Sequence, residues 1–329
     1  MHRHHAASRA MAGSTALPYT GVVHGGLHGR WADSAYTHAL MFQPSSIPSP
    51  AQPPEPDDAP LHILWRDEHL VAVYKPAGWL VHRTGLDAHE TRFVLQTLRD
   101  QLGCHVYPAH RLDKGTCGVL VMALHAQAAQ RLGQAFAGQE VRKQYLALVR
   151  GWLPDAVEVD HALRPDDAPE DAPAQPAQTS LRCLARLEWP EAFDPRHAAT
   201  RISLVEALPA TGRRHQIRRH LKHVAHPIIG DATHGKGPLN RWWAERLGLQ
   251  RLWLHAHALE LAHPMTGEPL RFEADWRQLG HVADVQHWRA LCALPGWQAC
   301  AGLPATARPD QTASAGAPGS GCSISGAAT

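Results

Sequence analysis

Between residues 61 and 262 the apolar residues fall into short runs separated by polar turns, and the period of those runs alternates between strand and helix. Residues 61–65 and 70–75 flank Arg66-Asp67-Glu68-His69, which predicts two strands around a polar turn. Val94, Leu95, Leu98 and Leu102 recur at helical spacing within 90–102, and 125–137 and 216–224 predict two further helices. Residues 119–124, 145–149 and 252–261 predict strands, the first an unbroken apolar run of the kind buried on both faces. Residues 179–189 and 200–208 alternate instead, as half-buried antiparallel strands do, around a loop that carries Pro190 and Pro195.

The ends of the chain carry no such pattern. Residues 1–58 lack any sustained period and 44–60 are dense in proline, which predicts a flexible extension. Met1, Met11 and Met41 all precede the first patterned segment, which raises the hypothesis of an internal translation start, and an intact mass matching Met1 would overturn it. Residues 299–329, rich in Ala, Gly, Ser and Pro, hold too little apolar surface to order themselves and are expected to form a tail. Residues 155–178 are acidic and rich in Pro and Ala, and read as a surface loop rather than a domain boundary. One folded domain over 59–298 is the expectation.

Composition narrows this only slightly. The chain has 329 residues, 44% of them hydrophobic, which is ample for a core, and a formal net charge of +2 that permits a polyanionic partner without demanding one. Six cysteines without a C-x-x-C pair indicate neither a disulfide framework nor a zinc site, and fit a reducing cytoplasm. No run approaches the roughly 20 apolar residues of a membrane span, and no secretory apolar segment opens the chain, so a soluble, unexported protein is expected.

Four segments are specific in residue type. Lys75-Pro76-Ala77-Gly78 is a strand end followed by a tight turn in which Gly78 takes positive φ; a plain hairpin accounts for it equally well. His110-Arg111-Leu112-Asp113-Lys114-Gly115-Thr116-Cys117 sets Asp113 at a turn before a buried strand. Asp113 reads either as a cap for backbone N–H groups or as a nucleophile, and the second role needs a cation close by. Arg142-Lys143-Gln144-Tyr145 places Tyr145 at a strand start behind two cations, either as core with its hydroxyl at the rim or as a ring on which a base stacks. Thr211 to His223 holds five Arg or Lys and three His in thirteen positions. Ile217 and Leu221 mark its buried face, so Arg218 lies beside that face and can reach a cleft, whereas outer members such as Arg219 and Lys222 read either as a solvated face or as part of a functional cationic surface. His220, His223 and His226 lack a partnering Cys or Glu constellation, so a polyanion-facing surface explains them better than a metal. G-x-G-x-x-G, Walker A, G-x-S-x-G and H-E-x-x-H patterns are absent, which withdraws support from nucleotide-dependent, hydrolase-triad and zincin chemistry.

Taken in order, K-P-x-G, H-R-L-D-x-x-T-x-G-V-L, K-x-Y, T-G-R-x-H-Q-I-R, Ile229-Gly230-Asp231, Leu254-His255-Ala256 and His263-Pro264-x-Thr266-Gly267 resemble the RluA family of RNA pseudouridine synthases over about residues 61–275. The finer match, through W-L-V-H-R, H-P-I-I-G-D and Gly248-Leu249-Gln250-Arg251-Leu252, is to members that act on tRNA at uridine 65, with large-subunit rRNA as the alternative substrate. The resemblance implies an α+β fold: a mixed, largely antiparallel sheet flanked by helices, with an RNA-binding cleft. It implies Asp113 as nucleophile, Tyr145 stacked on the flipped uracil, and Arg218 paired with Asp113. Attack at the sugar, attack at the ring and abstraction of a sugar proton all stay open. Arg111, Arg142, Lys143, Arg213, Arg214, His215 and Gln216 are the implied RNA-binding residues. No metal or cofactor is implied, because the reaction is an isomerisation, and neither a membrane nor an obligate protein partner is. Cys117 departs from the family's usual Ser, a change expected to spare activity. The family's frequent S4-type RNA-binding module has no counterpart in 1–58. A non-catalytic RNA-binding module on the same scaffold is the rival of another class.

Overall fold

Leu70–Lys75 is buried at all six positions and Cys117–Ala123 at all seven. Strands with no exposed face need cover on both sides, and their place in the fold follows from that need. The computed structural model describes residues 60–300 except 84–89, 166, 167, 170, 277 and 281. The extension expected over 1–58, with its internal start and missing RNA-binding module, and nearly all of the tail over 299–329 lie outside the described residues.

In chain order the elements are β1 (Ile63–Arg66), β2 (Leu70–Lys75), α1 (Val94–Leu102), β3 (Tyr107–Pro108), β4 (Cys117–Ala123), α2 (Ala126–Ala137), β5 (Arg142–Arg150), β6 (Ala156–Asp160), β7 (Gln178–Trp189), β8 (Thr200–Pro209), α3 (Gln216–His223), α4 (Gly237–Leu247), β9 (Leu254–Ala262), β10 (Pro269–Glu273), α5 (Ala283–Cys292) and β11 (Gln298–Ala299). The strands form one sheet in the order β1-β2-β4-β9-β5-β8-β7-β11, with β3 beside β4, β6 beside β7 and β10 beside β9. The α+β reading holds. On one face Leu70, Ala72, Val119 and Val121 meet Ala128 and Leu132 of α2; on the other Val71, Val73, Leu120 and Met122 meet Val94 and Leu98 of α1.

Among the named strands, the pairing of β4 with β9 is parallel, and it spans two residue pairs, Cys117 with His255 and Gly118 with Ala256. Gly118 has φ 115°, and a Cβ there would lie 2.1 Å from the Ala256 carbonyl oxygen. Glycine is therefore what lets the two strands meet. The later part of the same β4 edge is taken by β3, through Tyr107 with Ala123 and Pro108 with Met122.

Three differences from the sequence expectation have physical causes. The segment read as a loop over 155–178 contains β6, paired antiparallel to β7 from Ala156 with Arg182 to Asp160 with Gln178. Only Val159 of that strand is fully buried, so its polar alternation looks like loop composition. Helix α4, not anticipated, carries Pro near its start, ends at Gly248 in the left-handed conformation and buries Trp243 completely. Gln298–Ala299 adds β11 to β7, and Cys300 is buried beneath it, its thiol 2.8 Å from that of Cys183. No helix among the described residues is long and apolar enough to cross a membrane.

Candidate active site

Asp113 sits in the loop between β3 and β4, with its side chain about one quarter exposed. The loop is built around the fully buried ammonium of Lys75, which donates to the carbonyls of Pro76 (2.9 Å), Lys114 (3.2 Å) and Thr116 (2.7 Å). Gly78, with φ 85°, donates its N–H to the same Lys114 carbonyl at 2.8 Å. The Lys75-Pro76-Ala77-Gly78 turn is thus a clamp on the Asp113 loop rather than a plain hairpin. The Thr116 N–H bonds the Asp113 carbonyl at 3.0 Å, and Leu112 is buried in the core under α1. His110 accepts the Val121 N–H at 3.0 Å and stacks on Phe136 at 4.4 Å; burial, then the Lys143 charge, pull its pKa down to about 3, so the ring is neutral.

Arg218 comes from the far side of the cleft, on α3, and is 8% exposed. Its Nε and Nη2 form a two-pronged pair with Asp231 at 2.7 and 2.8 Å, and the remaining Nη1 donates to Asp113 Oδ2 at 3.0 Å. Asp231 is fixed in turn by the backbone N–H groups of Thr233 (3.0 Å) and His234 (2.8 Å). Burial opposes charge on both residues, but their pairing outweighs it: Arg218 is raised and Asp231 lowered in pKa. One guanidinium fork therefore spans two carboxylates, one structural and one facing the cleft.

His215 starts α3 with φ 54°, a conformation that side-chain-bearing residues seldom adopt, and its Nε2 lies 3.9 Å from Asp113 Oδ2. Gln216 is buried and spends its amide inside the protein: its oxygen accepts from Thr211 Oγ1 and the Arg213 N–H, and its nitrogen donates to the Gln178 carbonyl and Thr179 Oγ1. That network ties α3 to β7 and fixes where Arg218 points.

Tyr145 reaches the same place across the sheet. It pairs with Ala256 on β9, Ala256 pairs with Gly118 on β4, and a register irregularity lies just before Tyr145. Its ring is half-buried, and burial together with the Asp113 charge raises the phenol pKa, so the hydroxyl keeps its proton. Arg111, Arg142 and Arg214 are exposed, and Arg213 is half-buried with its Nε on the Pro176 carbonyl at 3.1 Å. Lys143 is half-buried and donates to the Thr211 carbonyl at 3.2 Å, with burial lowering its pKa. Asp113, Tyr145 and Arg218 thus converge. Among the described residues, no group of three or more His, Cys, Asp or Glu side chains could hold a metal.

Behind the loop lies a network that sequence reasoning did not single out. Asp284 on α5 accepts the Ala77 N–H at 2.8 Å with one oxygen and pairs with the buried Arg251 at 2.7 Å with the other. Arg251 Nη2 also donates to the Cys117 thiol at 3.0 Å, and Cys117 lies 3.3 Å from His255 Nδ1. Cys117 is therefore part of a buried brace, and burial raises its pKa. Arg251 stands within a motif quoted above; Asp284 carries no sequence signal, because its partner Ala77 is 207 positions away.

A buried guanidinium holding a cleft carboxylate beside an aromatic ring suits chemistry on a base drawn out of its stack. Comparison with known proteins agrees. The RNA pseudouridylate synthase family profile matches residues 69–223, which include Asp113, Tyr145 and Arg218. A tRNA pseudouridine synthase C of Vibrio cholerae is 47% identical over 245 residues, covering 72% of this chain and 97% of its own; one of Yersinia pestis is 45% identical over 248 residues, covering 73% and 93%. The solved human RNA pseudouridylate synthase domain containing 1 superposes with a TM-score of 0.55 at 25% identity, over 74% of this chain and 99% of that one. With these motifs, this fold and relatives this similar over most of its length, the chain belongs to the RNA pseudouridine synthases of the RluA family.

Proposed function

We propose that this chain is a tRNA pseudouridine synthase that acts at position 65 of tRNA with Asp113 as its nucleophile. The observation that carries the reading is the agreement, at 47% identity, with a relative named for tRNA over 97% of that relative's length. The site supports the chemistry. The bond from uracil N1 to ribose C1′ breaks, the ring turns, C5 bonds to C1′ and gives up its hydrogen, and N1 gains one. Nothing is oxidised, reduced or hydrolysed overall, so no cofactor is needed.

The target uridine leaves its stack to meet Asp113, and Tyr145 offers a ring face and a protonated hydroxyl beside it. Arg218, held by Asp231, keeps the carboxylate aimed through each step, whether Asp113 attacks the sugar, attacks the ring or takes a sugar proton. Arg111, Arg142, Lys143, Arg213 and Arg214 meet phosphates around a folded RNA read by shape. His215 lines the cleft, and Gln216 positions it. The catalytic domain spans 59–298, works in the cytoplasm where tRNA is, and needs neither a membrane nor an obligate protein partner.

The test is carbodiimide-based pseudouridine mapping of total tRNA and rRNA in cells with and without the gene. Loss at one tRNA position is expected. Loss in rRNA would move the substrate while keeping the chemistry, and no loss anywhere would leave a non-catalytic RNA-binding module.

A further inference from the structure

The outer face of α3 is the part of the cationic segment that the active site leaves unused. Arg219, Lys222 and His223 line a groove of about 440 Å³ together with His161, Leu163 and His234. That volume is in the range that holds a small ligand. Two permanent cations and three imidazoles meet among its described lining residues, a set that suits an anion. It also offers a flat surface: the His161 and His223 rings are stacked, 3.8 Å between centroids and 14° between planes, next to the buried Leu163.

The groove is built, not a chance gathering of surface side chains. His220, fully buried beneath it, bonds the His161 carbonyl through Nε2 at 3.0 Å and Thr179 Oγ1 through Nδ1 at 2.9 Å. A carbonyl only accepts, so Nε2 carries the proton and Nδ1 accepts from Thr179. Arg219 Nη1 donates to the Arg164 carbonyl at 2.6 Å. These bonds strap the segment after β6 onto α3. The wall toward the active site is His234, whose Nε2 lies 3.2 Å from His215 Nδ1, and His215 in turn faces Asp113 at 3.9 Å.

We propose that this groove is a second nucleotide subsite, which takes a nucleotide flanking the target uridine with its phosphate between Arg219 and Lys222 and its base on the His161–His223 stack. The proposal rests on the chain acting on RNA. It gives α3 two working faces: Arg218 points inward to Asp113, and Arg219 and Lys222 point outward to the RNA.

The test is titration of the full chain with a tRNA transcript and, separately, a short oligouridylate at several salt concentrations. Lys222→Gln should weaken binding and lower the slope of log K against log salt by about one. His161→Ala should weaken binding about fivefold or more with the slope unchanged, and His161→Phe should recover the loss, because a ring and not a charge is at stake. His161 gives the fold its carbonyl, so its side chain can be replaced. Wild-type binding by both variants overturns the proposal. So does a lower slope for Lys222→Gln beside wild-type binding by His161→Ala, which would mean a phosphate-binding surface without a base subsite. Tritium release from uridine-labelled tRNA, followed in parallel, tests the tRNA assignment separately, and the oligouridylate arm decides the groove if the transcript is not a substrate.

Discussion

Arg218 Nη1 donates to Asp113 Oδ2 at 3.0 Å across 105 residues of chain, and the other two arms of the same guanidinium are taken by Asp231. The cation that faces the cleft carboxylate is therefore immobilised before any RNA arrives. Asp113→Asn keeps the shape of that contact and removes the nucleophilic charge. Turnover is expected to fall by about 10³-fold or more while tRNA affinity stays within about threefold. Tritium release and filter binding measure the two, and retained turnover would falsify the catalytic role of Asp113.

Arg218→Lys tests the fork itself. An ammonium on a flexible stem cannot replace two parallel bonds to Asp231 and a third to Asp113. Turnover should drop by about 10²-fold with KM little changed, and stability should fall by about 1–3 kcal/mol as a buried carboxylate loses partners. Urea melts alongside single-turnover rates read both effects; a variant with wild-type values in each would show that charge alone suffices.

Lys75 predicts a pH effect. Burial pulls its ammonium from 10.5 down to about 8, so the folded chain releases this proton before the unfolded chain does. Between about pH 8 and 10.5 the unfolded state binds more protons, and the Lys75 contribution to stability rises with pH. The loop, however, loses a donor: a neutral amine has two N–H groups for three carbonyls. Single-turnover rates should therefore decline as pH passes about 8 while stability gains nothing but support from this group. Lys75→Met should be slow at every pH and lack that limb; a limb that persists in the variant assigns it elsewhere.

The brace behind the loop separates two substitutions. Asp284→Asn gives up the ion pair with Arg251 and loosens Ala77, so turnover should fall about tenfold with KM unchanged. Cys117→Ser leaves an acceptor for Arg251 in the same place and should stay within about threefold of wild type. Equal losses in the two variants would point to packing around Cys117 instead of the Asp284 tether.

Arg214 is exposed and directly precedes His215, which faces Asp113. Arg214→Ala should weaken tRNA binding and lower its salt slope by about one without changing the rate at saturating RNA. An unchanged slope removes it from the phosphate contacts.

Much of the site was legible because residue type and period coincide there. Ile217 and Leu221 mark the buried face of α3, and they are 7% and 0% exposed, which leaves Arg218 at the cleft edge. Asp113 before an unbroken apolar strand and Tyr145 at a strand start were legible in the same way. The supports were not. Asp231 works through a turn that period analysis does not see, and Asp284 reaches Ala77 from the far end of the domain. Lys75, a residue type usually exposed, is wholly buried, and only the carbonyls it gathers explain why. Gln216 stands in a motif but faces inward, since a motif shows that a residue matters and not which way it points.

The two-pair parallel seam at Gly118 also bears on how the enzyme comes into being. On one side of it β1, β2 and β4 pair antiparallel, and on the other β9, β5, β8 and β7 do the same. Asp113 belongs to the first block, Tyr145 and Arg218 to the second, so neither block holds a working site alone. Joining them means closing contacts between residues far apart in the chain, the slow class of folding event. Catalysis should therefore be the last property to return on refolding, after strand pairing within each block is complete, and a nascent chain should not touch RNA bases chemically until β9 has docked.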